Sequence, residues 1–446
     1  MMKKFSDTAT EDGVADTIPF AADRKEWKVT YDEQWFLRKQ VHDPASTRHL
    51  INVAFSLSGN LDIEKLERSL RQLLLKHRVL RSVYHQDATG NFIRTLKDVP
   101  EVVLQHIRCE KDKVLEEIRK RNVPFDLAEG PLYRFFLFET AAGQYVMYSA
   151  LFHSVIDGPG VQILLKDIAD MYSDRTEESS EKTPDFLDFA EWRETNPRYR
   201  TDQEFYRRMF DDGFKINKMP WRVPLQEAMP CDGVARSRFE ITPLENGARH
   251  HRVFLFSAFI SALGLALGKY CRSDDVVLCL VMNARITNAA IKKTIRKTVG
   301  MFADRFPIRL QWQNDQSLSG FLKATNDRFI EILHHQSCSG RKWMKETSHD
   351  FDPDLTPIVN LNFSREVPAI PFQELRIEPF PIPPLGAMPE VQSMLGILHQ
   401  TATNLNASFM YPTYYFDTGS VEGMNEDFSR ILRKIAECND IPLAEL

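Results

Sequence analysis

The residues whose types and spacing are suited to chemistry lie in one stretch, Leu151-Phe152-His153-Ser154-Val155-Ile156-Asp157-Gly158-Pro159-Gly160. The run before it, Tyr145 to Phe152, is apolar, aromatic-rich and of strand length, and it delivers His153 to its carboxyl end. Strand ends facing a crevice are where α/β proteins place reactive groups. An imidazole with a pKa of about 6.5 accepts a proton from a nucleophile near neutral pH. Asp157 has two readings: a cap for the helix that starts near Pro159, or the partner of a cation that fixes the loop. Gly158 and Gly160 let the backbone bend sharply and approach a ligand closely. As a bare pattern, His-x-x-x-Asp-Gly also fits a structural histidine ahead of an ordinary helix cap. No Gly-x-Ser-x-Gly elbow, phosphate-binding loop or dinucleotide fingerprint is present. Ser154 faces away from His153 on an extended chain, so the pair does not make a serine nucleophile. A mechanism with no covalent enzyme intermediate and no bound cofactor is therefore expected.

The elements that must position this turn alternate between strand and helix. Val53 to Gly59 reads as a strand, and Asp62 as the cap of a helix whose stripe is Leu66, Leu70, Leu73 and Leu74. Leu80–Tyr84 and Asn91–Leu96 flank Asp87-Ala88-Thr89-Gly90 as a hairpin. A short helix over Val114–Arg121 precedes two strand-length runs, Leu132–Glu139 and Tyr145–Phe152. Val161, Leu164, Leu165, Ile168, Met171 and Tyr172 then form an amphipathic helix. Ser173–Thr183 lacks any apolar residue and is the best linker. Beyond it, a buried helix over Val253–Tyr270 leads into a buried strand, Asp275–Val281, which suggests a second half of similar design. Pro379–Pro389 reads as a long loop or crossover. The division predicted is a disordered tail over 1–25, an N-terminal lobe over 26–180 and a C-terminal lobe over 181–446.

Composition narrows the function. A chain of 446 residues, 43% hydrophobic and 27% charged with net charge −5, has enough material for sizeable cores. A pI near 6.2 argues against nucleic acid as the main ligand. The basic run Lys292-Lys293-Thr294-Ile295-Arg296-Lys297 reads as a solvated helix face. Six cysteines without a Cys-x-x-Cys pair, and no Cys/His cluster at zinc spacing, point to reduced thiols in a cytoplasmic protein with no metal. Two lysines near the N-terminus have no apolar stretch behind them, so no signal peptide is expected. Val253–Tyr270 is short of the ~20 residues a membrane span needs.

Several segments together resemble the condensation domains of nonribosomal peptide synthetases. These belong to the wider chloramphenicol-acetyltransferase-like superfamily of His-x-x-x-Asp acyltransferases. Asn52-Val53, Leu57-Ser58-Gly59-Asn60-Leu61-Asp62 and Lys76-His77-Arg78-Val79-Leu80-Arg81-Ser82 resemble the family's N…L.G.LD…RHE.LRT segment. Pro124-Phe125-Asp126-Leu127-Ala128-Glu129-Gly130-Pro131-Leu132-Tyr133-Arg134 resembles PFDL..GPL.R, and Val299 to Arg309 resembles VG.FvNtlPlR. Arg285 stands where the family ends its pvagR segment. The likeness runs from about Tyr31 to Glu437. Three departures are visible: Phe152 replaces the first of a histidine pair, Lys76 the first arginine of RHE.LRT, and Asp304 the asparagine of FvNt.

The resemblance implies an α/β (α+β) fold of two similar lobes in a V-shaped pseudo-dimer, with a tunnel along their interface and His153 midway. Phe152, Ser154, Arg81 and Asp304 are its tunnel candidates. Asp157 would turn away to pair with Arg285, and the Gly158 amide is a candidate oxyanion donor. The donor expected is an acyl or aminoacyl thioester on the phosphopantetheine arm of an acyl or peptidyl carrier protein supplied in trans; the acceptor is an amine or alcohol. A freestanding, monomeric enzyme of natural-product biosynthesis follows, with no membrane or nucleic-acid partner. Acyl-CoA as donor, epimerisation on the same fold, and a non-catalytic protein that docks carriers or tailoring enzymes are the alternatives.

Overall fold

In the computed structural model the described residues are 18–20, 24–175, 183–196, 198–212, 219–224, 227–286, 295–347, 358–362, 372, 375–386 and 388–446. Leucines spaced to lie on one face make the Ile63–Lys76 helix amphipathic, and Leu66, Leu70, Leu73 and Leu74 are fully buried. Asp62 caps it, accepting from the Lys65 amide at 2.8 Å. This helix and the Gly158–Tyr172 helix pack against each other in the first lobe. The sheet there runs in the order Leu375–Pro379, Leu50–Gly59, Gln144–Phe152, Tyr133–Ala141, Leu104–Arg108. Its central strands are antiparallel, with Leu50 opposite Phe152. The predicted hairpin is present as strands Ser82–Gln86 and Phe92–Leu96 in a separate small sheet.

The second sheet runs Ala303–Gln311, Asp275–Asn283, Ile358–Asn362, Leu395–Gln400, Asn404–Tyr411, Gly233–Glu240. Its main helix, Leu255–Cys271, is apolar on nearly every side and buried continuously from Phe256 to Gly268. That is the signature of a core helix. Among the described residues no single helix is long and apolar enough to cross a membrane.

Two hydrophobic cores result, one under each sheet. They are not cut cleanly by sequence. Ala284, Ile295, Val299, Met301 and Phe302 pack into the first core, and Leu375–Pro379 completes the first sheet by pairing with Leu50–Gly59. Described residues of the predicted tail pack here too. Ile18 is buried in the first core, and the Phe20 ring lies 5.0 Å from the Arg78 guanidinium. Within the expected linker, 176–182 lie outside the described residues, as do 287–294, which include the start of the basic run. No regular element is assigned to the described residues between Pro379 and Glu390.

Candidate active site

His153 begins the turn that leaves the Gln144–Phe152 strand, and its amide donates to the His49 carbonyl at 2.8 Å. Its ring stacks on Phe36, with centroids 4.4 Å apart and planes 13° from parallel. Phe36 is met edge-on by Trp35 at 5.0 Å and His49 at 5.4 Å. All four residues are half-buried, and the cluster lies at the junction of the Tyr31–His42 helix and the turn.

Burial lowers the His153 pKa, since a charged ring loses hydration there. The carbonyls of His153 and Ile156 and the charge of Asp157 oppose this without prevailing. Nδ1 is buried with no hydrogen-bond partner among the described residues. His49 is lowered to about 4, mainly by burial and then by the His153 charge. Both rings are thus neutral at pH 7, and His153 stands in its proton-accepting form. A depressed pKa keeps that form populated to lower pH. The acidic limb of a kcat/KM profile is therefore expected below the ordinary imidazole value of 6.5. A limb above 6.5 would contradict this environment.

The two readings of Asp157 are both realised, one on each oxygen. Oδ1 accepts from the Gly160 amide at 2.8 Å and caps the Gly158–Tyr172 helix. Oδ2 pairs with Arg285 Nη1 at 2.6 Å and accepts from the Phe302 amide at 3.2 Å. Arg285 directs its remaining donors to Thr298 O, Gly300 O and Asn283 Oδ1, and its guanidinium lies 4.0 Å from the Phe302 ring centre. The ion pair is buried and ties the turn to the strand end after Asn283. A side chain at Gly160 would sit 2.9 Å from Asp157 Oδ1 and 3.5 Å from Arg285 Nη2, so only glycine permits this approach.

Gly158 differs from Gly160. A Cβ there would meet nothing within 4 Å, so open space adjoins its backbone. As the first residue of the helix, its N–H has no intrahelical acceptor and lies at the positive end of the helix dipole.

The residues expected to line a tunnel have other surroundings. Phe152 is fully buried in the first core, and its strand is buried on both faces from Val146 onward. Ser154 is fully buried too, with its Oγ unpartnered among the described residues. Arg81 donates to the Lys97 carbonyl at 3.2 Å beside the small sheet. Asp304 is 2% exposed and ion-paired with Arg193; it also accepts from the Gly340 amide at 3.2 Å. Phe152, Ser154 and Asp304 therefore face packed protein. Lys76 forms an ion pair with Asp167 at 2.8 Å, so the charge shared with the family's arginine is used. Phe36, which stacks on His153, and Trp35 and His49, which pack on Phe36, carry no motif and escape sequence reasoning. Their only signal is an aromatic pair on a helix, which marks a core as readily as a site.

Comparison with known proteins settles the class. A family model for the condensation domain matches residues 32–446. Tyrocidine synthase 2 of Brevibacillus parabrevis is 21% identical over 439 residues, covering 96% of this chain and 12% of that protein. Surfactin synthase subunit 2 of Bacillus subtilis (strain 168) is 19% identical over 409 residues, covering 90% of this chain and 11% of that one. The chain thus spans only about an eighth of these relatives' length. The first condensation domain of the calcium-dependent antibiotic synthetase, in complex with a substrate analogue, superposes with a TM-score of 0.70 at 19% identity, covering 94% and 99% of the two chains. The X-domain in its complex with OxyB, from teicoplanin biosynthesis, gives 0.77 at 17% identity, covering 96% and 97%. The chain belongs to the condensation domain family and has that family's two-lobed, chloramphenicol-acetyltransferase-like fold. Members of the family form amide or ester bonds in nonribosomal peptide synthesis.

Proposed function

We propose that this chain transfers an acyl or aminoacyl group from a carrier-protein thioester to an amine or alcohol, with His153 as the proton acceptor. The carrying observation is a neutral, partly accessible imidazole in the same turn as the open first residue of a helix. The nucleophile's lone pair attacks the thioester carbonyl, His153 takes its proton, and the carbon–sulfur bond breaks. The proton then passes from the imidazolium to the departing thiolate, so no oxidant or external proton source is needed. The Gly158 N–H stabilises the developing oxyanion, and the site holds the two substrates together. These two effects lower the barrier by more than the base does. Asp157 and Arg285 are positioning residues: they fix the turn and touch no reacting atom. A tunnel between the lobes is the route this reading requires for the phosphopantetheine arm. The six free cysteines suit a reducing cytoplasm.

The donor class is tested by offering one acyl group on holo-carrier protein and on CoA. The carrier-bound form is expected to react faster by an order of magnitude or more, since protein–protein contacts add binding that CoA lacks. Equal rates would make the chain an acyl-CoA transferase. A second reading is docking without catalysis: one fold neighbour, the X-domain from teicoplanin biosynthesis, is seen in complex with OxyB. Carrier binding without product, under any donor–acceptor pair, would select it.

A further inference from the structure

Arg285 has all its donors satisfied; a second buried guanidinium near the site does not. Arg341 lies in the first turn of the Gly340–Thr347 helix and is 5% exposed. Its Nε and Nη1 are buried without any hydrogen-bond partner among the described residues. The carboxylate paired with it is Asp32, 3.9 Å from Nε, an ion-pair distance too long for a hydrogen bond. Asp32 already accepts from Ser339 Oγ at 3.1 Å and shares Arg193 at 3.7 Å. Burial, followed by the neighbouring Asp304 charge, raises the Asp32 carboxyl to about 8. Asp32 is therefore a weak counter-charge at pH 7, while Arg193 is matched by Asp304.

Position matters as much as charge. The Arg341 guanidinium lies over the Trp35 ring at 4.3 Å; Trp35 touches Phe36, and Phe36 stacks on His153. The cation thus sits on the far side of the same aromatic cluster that holds the proposed base. Burying donors without acceptors is unfavourable, and native proteins seldom leave them so unless something else supplies the acceptor.

We infer that Arg341 is a recognition residue for a carboxylate on one of the two substrates, whose oxygens engage one edge of the guanidinium and supply an acceptor that it lacks. A planar monoanion fits the single uncompensated charge. A phosphate dianion would bring one negative charge more than Arg341 balances. Calling the ligand a substrate rests on the proposed transfer; the carboxylate site itself does not.

The test is equilibrium binding of single substrates to the full chain by titration calorimetry, so no turnover is required. One arm compares a panel of amino acids with their carboxamides, as acceptors. The other compares succinyl-pantetheine with its methyl ester, as donors. In one arm the carboxylate form is expected to bind about tenfold or more tightly. Arg341→Gln should abolish that ratio and leave the neutral ligand's affinity unchanged. Arg341→Lys keeps the charge but loses the fork, so it should retain part of the ratio; it serves if the glutamine variant does not fold. No preference in either arm of the wild type overturns the inference. A folded Arg341→Gln with the wild-type ratio does so as well. Neither result bears on transfer, and failed transfer beside a clear preference would sink only the catalytic reading.

Discussion

His153→Ala is expected to fold normally and to lose acyl transfer by about 10²–10⁴, the usual contribution of a positioned general base. The residue is half-buried, its ring stacks on Phe36, and Nδ1 has no hydrogen-bond partner among the described residues, so its removal breaks little. Single-turnover transfer from a loaded carrier, beside circular dichroism and a melting curve, separates the two effects. Binding of either substrate should change little, because the imidazole acts on a proton that moves only in the reaction. A variant keeping most of its rate would reduce His153 to a residue that orients substrate.

Asp157→Ala carries the largest expected stability effect. Removing one partner of a buried pair costs about 3–5 kcal/mol, because the other charge is left without its counter-ion. Here the stranded group is Arg285, 5% exposed and held by carbonyls that accept hydrogen bonds but carry no net charge. The helix cap at Gly160 and the bond from the Phe302 amide are lost together with it. A strongly lowered denaturant midpoint is the expected result, with transfer falling as the turn loosens. Asp157→Asn retains an acceptor for Gly160 and should cost less. If Asp157→Ala proved as stable as the wild type yet inactive, the carboxylate would have to act on substrate directly.

Much of this architecture follows from local pattern. Leu66, Leu70, Leu73 and Leu74 announce a helix because apolar residues on one face have nowhere else to go, and Asp62 marks its start. The strand leading to His153 and the helix beginning at Gly158 are legible for the same reason. The Asp157–Arg285 pair is expected only through the family resemblance, since 128 residues separate the partners. Phe152, Ser154 and Asp304 show where that resemblance overreaches. A motif gives a residue's neighbours in sequence, but the packing of a distant helix or strand decides whether its side chain meets open space.

The division between the two sources of information is physical. Side-chain periodicity and capping act over a few residues, so the sequence alone determined the main elements of the first lobe, the His153–Gly160 turn and the class of chemistry expected of an imidazole there. Contacts between remote segments depend on how whole faces bury one another. Only the tertiary structure decided that Phe36 flanks the imidazole, that Arg193 neutralises Asp304, that Leu375–Pro379 closes the first sheet, and that Arg341 has donors unmet among the described residues.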